Sequence, residues 1–433
     1  MSILASVPAA ALSEAALSAA ARAGRTGFAP VFTGIGVVAP TGASTEEHWA
    51  ATRAGVSGLR PIERFDADRY PVKVAGQIRG FDVKSRVPGR LVPATDRWTQ
   101  FALGAAQAAL DDAGVDPAAR DPLELSVVTG SSSGGNEFGQ REIARLWSSG
   151  PGYVSAYQSI AWFYAATTGQ IGIRHGMKGP CGVVVTEQAS ALDAIGQARR
   201  ELRDGARTAV TGGTEAPIGP YALTCQIASG LLSTDGTYKP FDPTARGYLP
   251  GEGGAILVLE HPDRAGSHYG VLLGYAAGFD PAPGSGRPPA LRRTIEAALA
   301  DAGLDPGDVD VVFADGAGIP ERDRAEAEAL AAVFGPEGVP VTVPKTMTGR
   351  LYAGGAALDV ATALLALRDA VIPPTVGVRP DPDLHLDLVR DTERRAVLRT
   401  ALVVARGHDG FTSAVVVGRG TAGTDTRHME GTR

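Results

Sequence analysis

Ala108-Ala109-Leu110-Asp111-Asp112-Ala113-Gly114-Val115-Asp116-Pro117 returns 189 residues later as Ala297-Ala298-Leu299-Ala300-Asp301-Ala302-Gly303-Leu304-Asp305-Pro306, with eight of ten positions identical. Each copy reads as the end of a helix closed by glycine, with Asp-Pro just beyond it. The copies continue alike. Leu125-Ser126-Val127-Val128-Thr129 and Val309-Asp310-Val311-Val312-Phe313 are short β-branched runs that read as strands. Glycine-rich loops follow at 130–135 and 316–318, and Ala189-Ser190-Ala191-Leu192-Asp193 is echoed by Gly355-Ala356-Ala357-Leu358-Asp359. These last two open helical segments of small residues, which let helices approach closely, so they are expected at the centre of the molecule. Strands alternating with helices, repeated once, predict an α/β fold of two similar halves around one core. The chain divides into an Ala-rich extension (1–26), two halves (27–260 and 261–419) and a polar tail (420–433). No Pro/Ser-rich linker separates the halves, and 281–289 is a short loop.

Composition excludes several classes. The 433 residues carry 41 Lys+Arg against 47 Asp+Glu, a formal charge of −6, and 44% are hydrophobic. That balance argues against a basic nucleic-acid binder and a disordered chain. No apolar run approaches the roughly 18–20 residues of a membrane span. The first residues lack the basic start and apolar stretch of a secretory signal. Two cysteines, Cys181 and Cys225, cannot build a disulfide framework, and seven scattered histidines give no ligand spacing for a metal. A reducing cytoplasmic setting with no metal or cofactor is the expectation.

Four motifs invite chemistry. Gly34-Ile35-Gly36-Val37-Val38-Ala39 fits a dinucleotide fingerprint, but Pro40 stands where the helix should run, and no strand ending in an acidic residue follows at the proper distance. Gly130-Ser131-Ser132-Ser133-Gly134 follows a strand as a nucleophile elbow does, with Ser132 as the candidate serine. Cys181, at the start of an apolar strand, reads as a buried small hydrophobe rather than a thiolate. Asp315, Glu326 and Glu328 resemble an acid/base cluster, but the charges at Arg322, Asp323 and Arg324 suggest a solvated helix face.

The stretch Gly179-Pro180-Cys181-Gly182-Val183-Val184-Val185-Thr186-Glu187-Gln188-Ala189-Ser190-Ala191-Leu192-Asp193 resembles the active-site elbow of β-ketoacyl synthases, with glutamine in place of their cysteine. Thr211-Gly212-Gly213, Lys239-Pro240-Phe241-Asp242, Gly251-Glu252-Gly253-Gly254 and Lys345-Thr346-Met347-Thr348-Gly349 agree in order, over about residues 28 to 419. Gln188, Trp162-Phe163-Tyr164, Ile173-Arg174-His175-Gly176-Met177, Phe313-Ala314-Asp315 and Arg350-Leu351-Tyr352-Ala353-Gly354-Gly355 resemble more closely the chain length factors. These are the ketosynthase β subunits of bacterial type II aromatic polyketide synthases. The resemblance implies a thiolase fold: duplicated βαβαβαββ units, here ketosynthase-like halves, in five α/β/α/β/α layers.

A condensing enzyme needs a thiolate at a helix N-terminus, two donors to stabilise an enolate, and a supporting lysine. Mapped through the resemblance, Gln188 stands at the nucleophile position, Asp315 and Arg350 at the two histidine positions, and Lys345 is retained. An amide does not ionise near neutral pH and cannot form the thioester. A carboxylate repels an enolate oxygen. The expectation is therefore no condensation by this chain alone, with Asp315 and Arg350 paired in the defunct site.

The resemblance implies a partner, a Cys-bearing ketosynthase α subunit, and an acyl carrier protein bearing the malonyl and polyketide chain. This chain would shape the interface tunnel that holds the poly-β-ketone. Asn136, Gly139 and Ile143 fall in the family's gate helix at i, i+3 and i+7, on one helix face. The family often has phenylalanine where Asn136 and, less regularly, Ile143 stand. Less bulk and a bare Gly139 predict a product longer than the octaketide type. Two other readings stay open: a malonyl-carrier decarboxylase using Gln188, and a serine hydrolase using Ser132.

Overall fold

The computed structural model describes residues 28–264, 266–282 and 284–420. The extension over 1–26 and, from residue 421, the tail lie outside the described residues. The first half contributes strands β1 (Val31–Val38), β2 (Leu125–Gly130), β3 (Cys181–Val184), β4 (Thr208–Glu215) and β5 (Gly253–Glu260). The second contributes β6 (Gly270–Phe279), β7 (Val311–Phe313), β8 (Pro340–Thr342), β9 (Asp387–Leu388), β10 (Thr400–Arg406) and β11 (Phe411–Arg419). The helices used below are α1 (Arg97–Asp112), α2 (Asn136–Ser149), α3 (Ala166–His175), α4 (Ser190–Arg203), α5 (Leu291–Ala302), α6 (Pro320–Phe334) and α7 (Ala353–Asp369).

Both halves lay their strands in one order. The first half runs β1-β5-β4-β2-β3 and the second β6-β11-β10-β7-β8, with β9 added at the edge. In each, the first strand is antiparallel to the last and the last to the fourth, while the fourth, second and third run parallel. The halves meet where β1 pairs with β6 through only Val31↔Val271 and Phe32↔Gly270.

The repeat occupies equivalent places. Gly114 (φ +63°) and Gly303 (φ +66°) take the left-handed conformation that ends α1 and α5. Beyond them Val115 N–H donates to the Leu110 carbonyl at 2.9 Å and Leu304 N–H to the Leu299 carbonyl at 3.0 Å. Asp112 and Asp301 do matching work. The first accepts the Ile35 N–H of β1 and the second the Tyr275 N–H of β6, both at 2.9 Å. Each bond lies just past an irregularity in the strand's pairing, where a backbone donor would otherwise lack a partner.

Helices α4 and α7 pack on each other between the strands of both halves. α7 is buried from Ala353 through Leu367, as expected of a helix apolar on every side. Helices α1 and α3 cover the outer face of the first half, and α5 with α6 that of the second. The layers are therefore α/β/α/β/α. The largest hydrophobic cluster is built around α4 and α7, so residues at their N-termini are placed in the middle of the molecule.

Candidate functional site

The elbow lies between β3 and α4. Glu187 (φ +57°) and Gln188 form a single 3₁₀ turn, Glu187–Ala189, before α4 begins. The turn is braced by Ser190 and Ser132, whose hydroxyls donate to the Glu187 carbonyl at 2.7 and 3.4 Å. Ser190 Oγ accepts the Thr186 N–H at 2.8 Å; Ser132 Oγ accepts the Ala353 N–H of α7 at 2.9 Å; and Glu215 Oε1 accepts the Ser132 N–H. Gln188 is only 3% exposed. The Glu187 carboxylate folds over it, accepting the Gln188 backbone N–H at 2.9 Å and its Nε2 at 3.3 Å. The same carboxylate accepts the His408 N–H at 2.8 Å. Burial pushes the Glu187 carboxyl up, against the pull of Arg350, and burial pushes the Glu215 carboxyl up to about 8.

Asp315 and Arg350 are brought together. Arg350 Nη2 lies 2.9 Å from Asp315 Oδ1, and its Nη1 lies 3.1 Å from Oδ2. Both side chains are buried. Nη1 also donates to the Asp315 carbonyl at 2.9 Å, and the guanidinium stacks 5.4 Å from the Tyr248 ring centroid. Burial pushes the Asp315 carboxyl up, but the Arg350 guanidinium, helped by Lys345, outweighs it and holds the group below the usual carboxylate range. Lys345 Nζ donates to the Ala314 carbonyl at 2.8 Å and is ion-paired with Asp359 of α7. Residues 406–408 link the pair to the elbow, since the Arg406 N–H donates to Asp315 Oδ1 at 3.1 Å and the His408 N–H to Glu187. The buried carboxylate and guanidinium are thus already engaged with each other.

Asn136 opens α2 and donates from Nδ2 to Ser133 Oγ at 2.7 Å. Ile143, two turns on, is 44% exposed. Gly139 differs from the sequence expectation. A Cβ there would come within 2.9 Å of the Trp162 indole, so this chain's own tryptophan already occupies the room that a bare glycine was expected to leave.

Two further expectations are corrected. Cys181 is exposed rather than buried, because β3 is the outermost strand of the sheet and one of its edges has no neighbour among the described residues. The face of α6 is only partly solvated. Asp323 and Glu326 are buried. Glu326 accepts the Asp315 and Gly316 N–H groups at 2.7 and 2.9 Å, and Asp323 accepts the Phe241 and Gly318 N–H groups at 2.9 and 3.1 Å. They hold the loop that carries Asp315. Among the described residues no cluster has metal-ligand character, and no helix is long and apolar enough to cross a membrane.

Around β3 lies an exposed apolar surface. Ile160, Trp162, Phe163, Tyr164, Ile173 and Val185 all face solvent. A groove of about 430 Å³ runs between Ile160, Phe163, Ala166, Cys181 and Val183. An unpaired strand edge beside such a patch is the signature of a surface that another chain covers.

Residues 31–265 match the model of the β-ketoacyl synthase N-terminal domain, and residues 269–379 that of its C-terminal domain. The tetracenomycin polyketide synthase ketoacyl synthase beta subunit of Streptomyces glaucescens is 58% identical over 400 residues, covering 90% of this chain and 98% of the relative. The actinorhodin polyketide putative beta-ketoacyl synthase 2 of Streptomyces coelicolor is 54% identical over 399 residues, again covering 90% and 98%. Among solved structures, the ishigamide ketosynthase/chain length factor superposes with a TM-score of 0.84 at 27% identity, over 90% of this chain and 99% of that one. A type II polyketide synthase acyl-carrier protein in complex with its ketosynthase bound to the hexaketide gives 0.80 at 26% identity, with the same coverage.

Proposed function

The chain belongs to the β-ketoacyl synthase family, and from that premise we propose that it is a ketosynthase β subunit, the chain length factor of a type II polyketide synthase. It pairs with a Cys-bearing ketosynthase α subunit and shapes the tunnel in which the poly-β-ketone, delivered by acyl carrier protein, grows. The observation that carries this reading is Gln188. A neutral carboxamide stands at the head of α4, the place where the fold offers a nucleophile its helix dipole. The donors an enolate needs are replaced by the closed Asp315–Arg350 pair. What remains useful is shape, namely the free edge of β3, the apolar surface beside it, and α2. Asn136 and Ile143 are the side chains we assign to the tunnel, with a product longer than an octaketide. Gly139 belongs to this set only through the Trp162 ring seated on it. The related β subunits and the absence of a spanning helix among the described residues support a cytoplasmic place.

The two other readings are less well served. A decarboxylase would have to admit a malonyl carboxylate to an amide already covered by the Glu187 carboxyl group. In a hydrolase, Ser132 Oγ would have to attack from a position where it accepts the Ala353 N–H, and no imidazole among the described residues is hydrogen-bonded to it.

The test is co-expression with a Cys-bearing ketosynthase, followed by intact-mass analysis of both chains after exposure to malonyl-loaded carrier protein. Acyl mass is expected on the partner's cysteine only. Acyl mass on this chain at residue 188, or ketide extension by this chain alone, would overturn the reading.

A further inference from the structure

Helix α2 starts without a cap of its own. Its N-cap is Gly135, which has no side chain to accept the first N–H groups. A Ser, Thr, Asp or Asn cannot be placed there. A Cβ at Gly135 would sit 2.0 Å from the Ala161 carbonyl oxygen and 2.9 Å from the Asp96 Cβ. The missing acceptor comes from elsewhere in the chain. Asp96, only 2% exposed, caps α1 by accepting the Trp98 N–H at 3.2 Å on Oδ1. With Oδ2 it accepts the Phe138 N–H, in the first turn of α2, at 2.6 Å. One carboxylate thus closes two helix N-termini. A second tie runs alongside, where Arg64 bridges Glu137 of α2 and the fully buried Glu252.

We propose that Asp96 is a positioning residue for chain length: its carboxylate fixes the first turn of α2, and through it the depth at which Asn136 and Ile143 enter the tunnel. The proposal rests on the chain-length reading above. Further along, Gln140 Oε1 accepts the Tyr221 N–H at 2.8 Å and Glu142 Oε2 the Ser155 N–H at 2.7 Å, so neighbouring loops lean on the helix there. The first turn, which carries Asn136, is held by Asp96 and the Arg64–Glu137 tie, with the Asn136–Ser133 hydrogen bond at its very start. A loosened first turn lets α2 shift along and about its axis, and the tunnel then ends at more than one depth.

The experiment compares products of the assembled complex with the ketosynthase α subunit. Asp96→Ser keeps an oxygen able to cap α1 but is too short to reach Phe138. Products one two-carbon unit longer or shorter than the main one are expected to rise about fivefold, the factor that matches the ~1 kcal/mol a helix cap is worth. A purely structural role would lower total yield and leave the length distribution alone. Ile143→Trp runs in parallel as the control on the reading itself. If it shortens the product while Asp96→Ser leaves the distribution unchanged, the inference fails and the reading stands. If neither changes it, the reading fails. Should Asp96→Ser not assemble, Glu137→Ala severs the second tie at a side chain that is 34% exposed, and an unchanged distribution there overturns the inference as well.

Discussion

Asp315 and Arg350 place two opposite charges in the core, and burial makes their pairing consequential. Both side chains are almost wholly removed from water, and each answers the other's charge. Removing one partner leaves an uncompensated charge in the core, which costs more than the pair itself contributes. Asp315→Ala is therefore expected to lower unfolding free energy by about 3–5 kcal/mol. Denaturant titration checks this, and a loss below about 1 kcal/mol, the range of a surface pair, would refute it. Glu215 behaves differently because the charges that act on it are the carboxylates of Asp96 and Glu187. Burial pushes its folded-state pKa from the ordinary 4.5 up to about 8. A raised carboxyl pKa means that the folded state holds its proton more tightly than the unfolded chain. Its contribution is thus most favourable at low pH and is lost as pH rises from about 4.5 to about 8. Glu215→Gln should remove that slope. The variant's stability relative to the parent should climb through this window by on the order of a few kcal/mol and then level off. A pH-independent difference would argue against a buried, late-titrating Glu215. At this scale the sequence was informative about Asp315 and Arg350, whose opposite charges were expected to pair and do. It was silent on Glu187 and Glu215, because whether a carboxylate is solvated depends on which distant segments close over it.

Helices show what periodicity can and cannot reveal. The paired decapeptides announced two equivalent helix ends, and α1 and α5 finish at Gly114 and Gly303 in the same conformation. Small residues at the starts of α4 and α7 pointed to the centre, where both helices lie. Those signals are local, so they survive in one dimension. The charges of α6 misled because alternating charges look alike whether they meet solvent or the N–H groups of a folded-back loop, as Asp323 and Glu326 do. Gly139 misled for a related reason. A missing side chain reads as space, yet Trp162 arrives from beyond the end of α2 to fill it. Gly139→Ala should accordingly cost about 1 kcal/mol, at the low end of overpacking because Trp162 is half exposed and can give. The cost should vanish in a Trp162→Ala background, and a double-mutant cycle on thermal unfolding reads the coupling. Equal costs in both backgrounds would show that the ring does not rest on residue 139.

At the scale of the whole molecule, the two halves bury each other's central helices but leave the fold unfinished on one side. The sheet is blunted at one end by the two-residue strand β9, and at the other it stops at β3, whose outer edge pairs with no strand among the described residues. Cys181 was read as buried because an outermost strand and an inner one share the same apolar composition; only the strand order separates them. That edge continues into the apolar surface of Ile160, Trp162, Phe163 and Tyr164. A soluble monomer rarely keeps so much contiguous apolar area beside an open strand. Because these side chains already face solvent, changing them should leave folding almost untouched, within about 0.5 kcal/mol. If they form the centre of the contact with the ketosynthase α subunit, truncation there costs about 2 kcal/mol or more per residue in binding, and a buried unpaired charge costs further. Ile160→Glu with Phe163→Glu should therefore abolish co-elution with the partner in size-exclusion chromatography while the melting temperature stays at the parent value. The isolated chain should also self-associate less than the parent, since the same surface drives both. Full co-elution of the double variant would place the interface elsewhere, and a lowered melting temperature would mean that these side chains belong to this chain's own core.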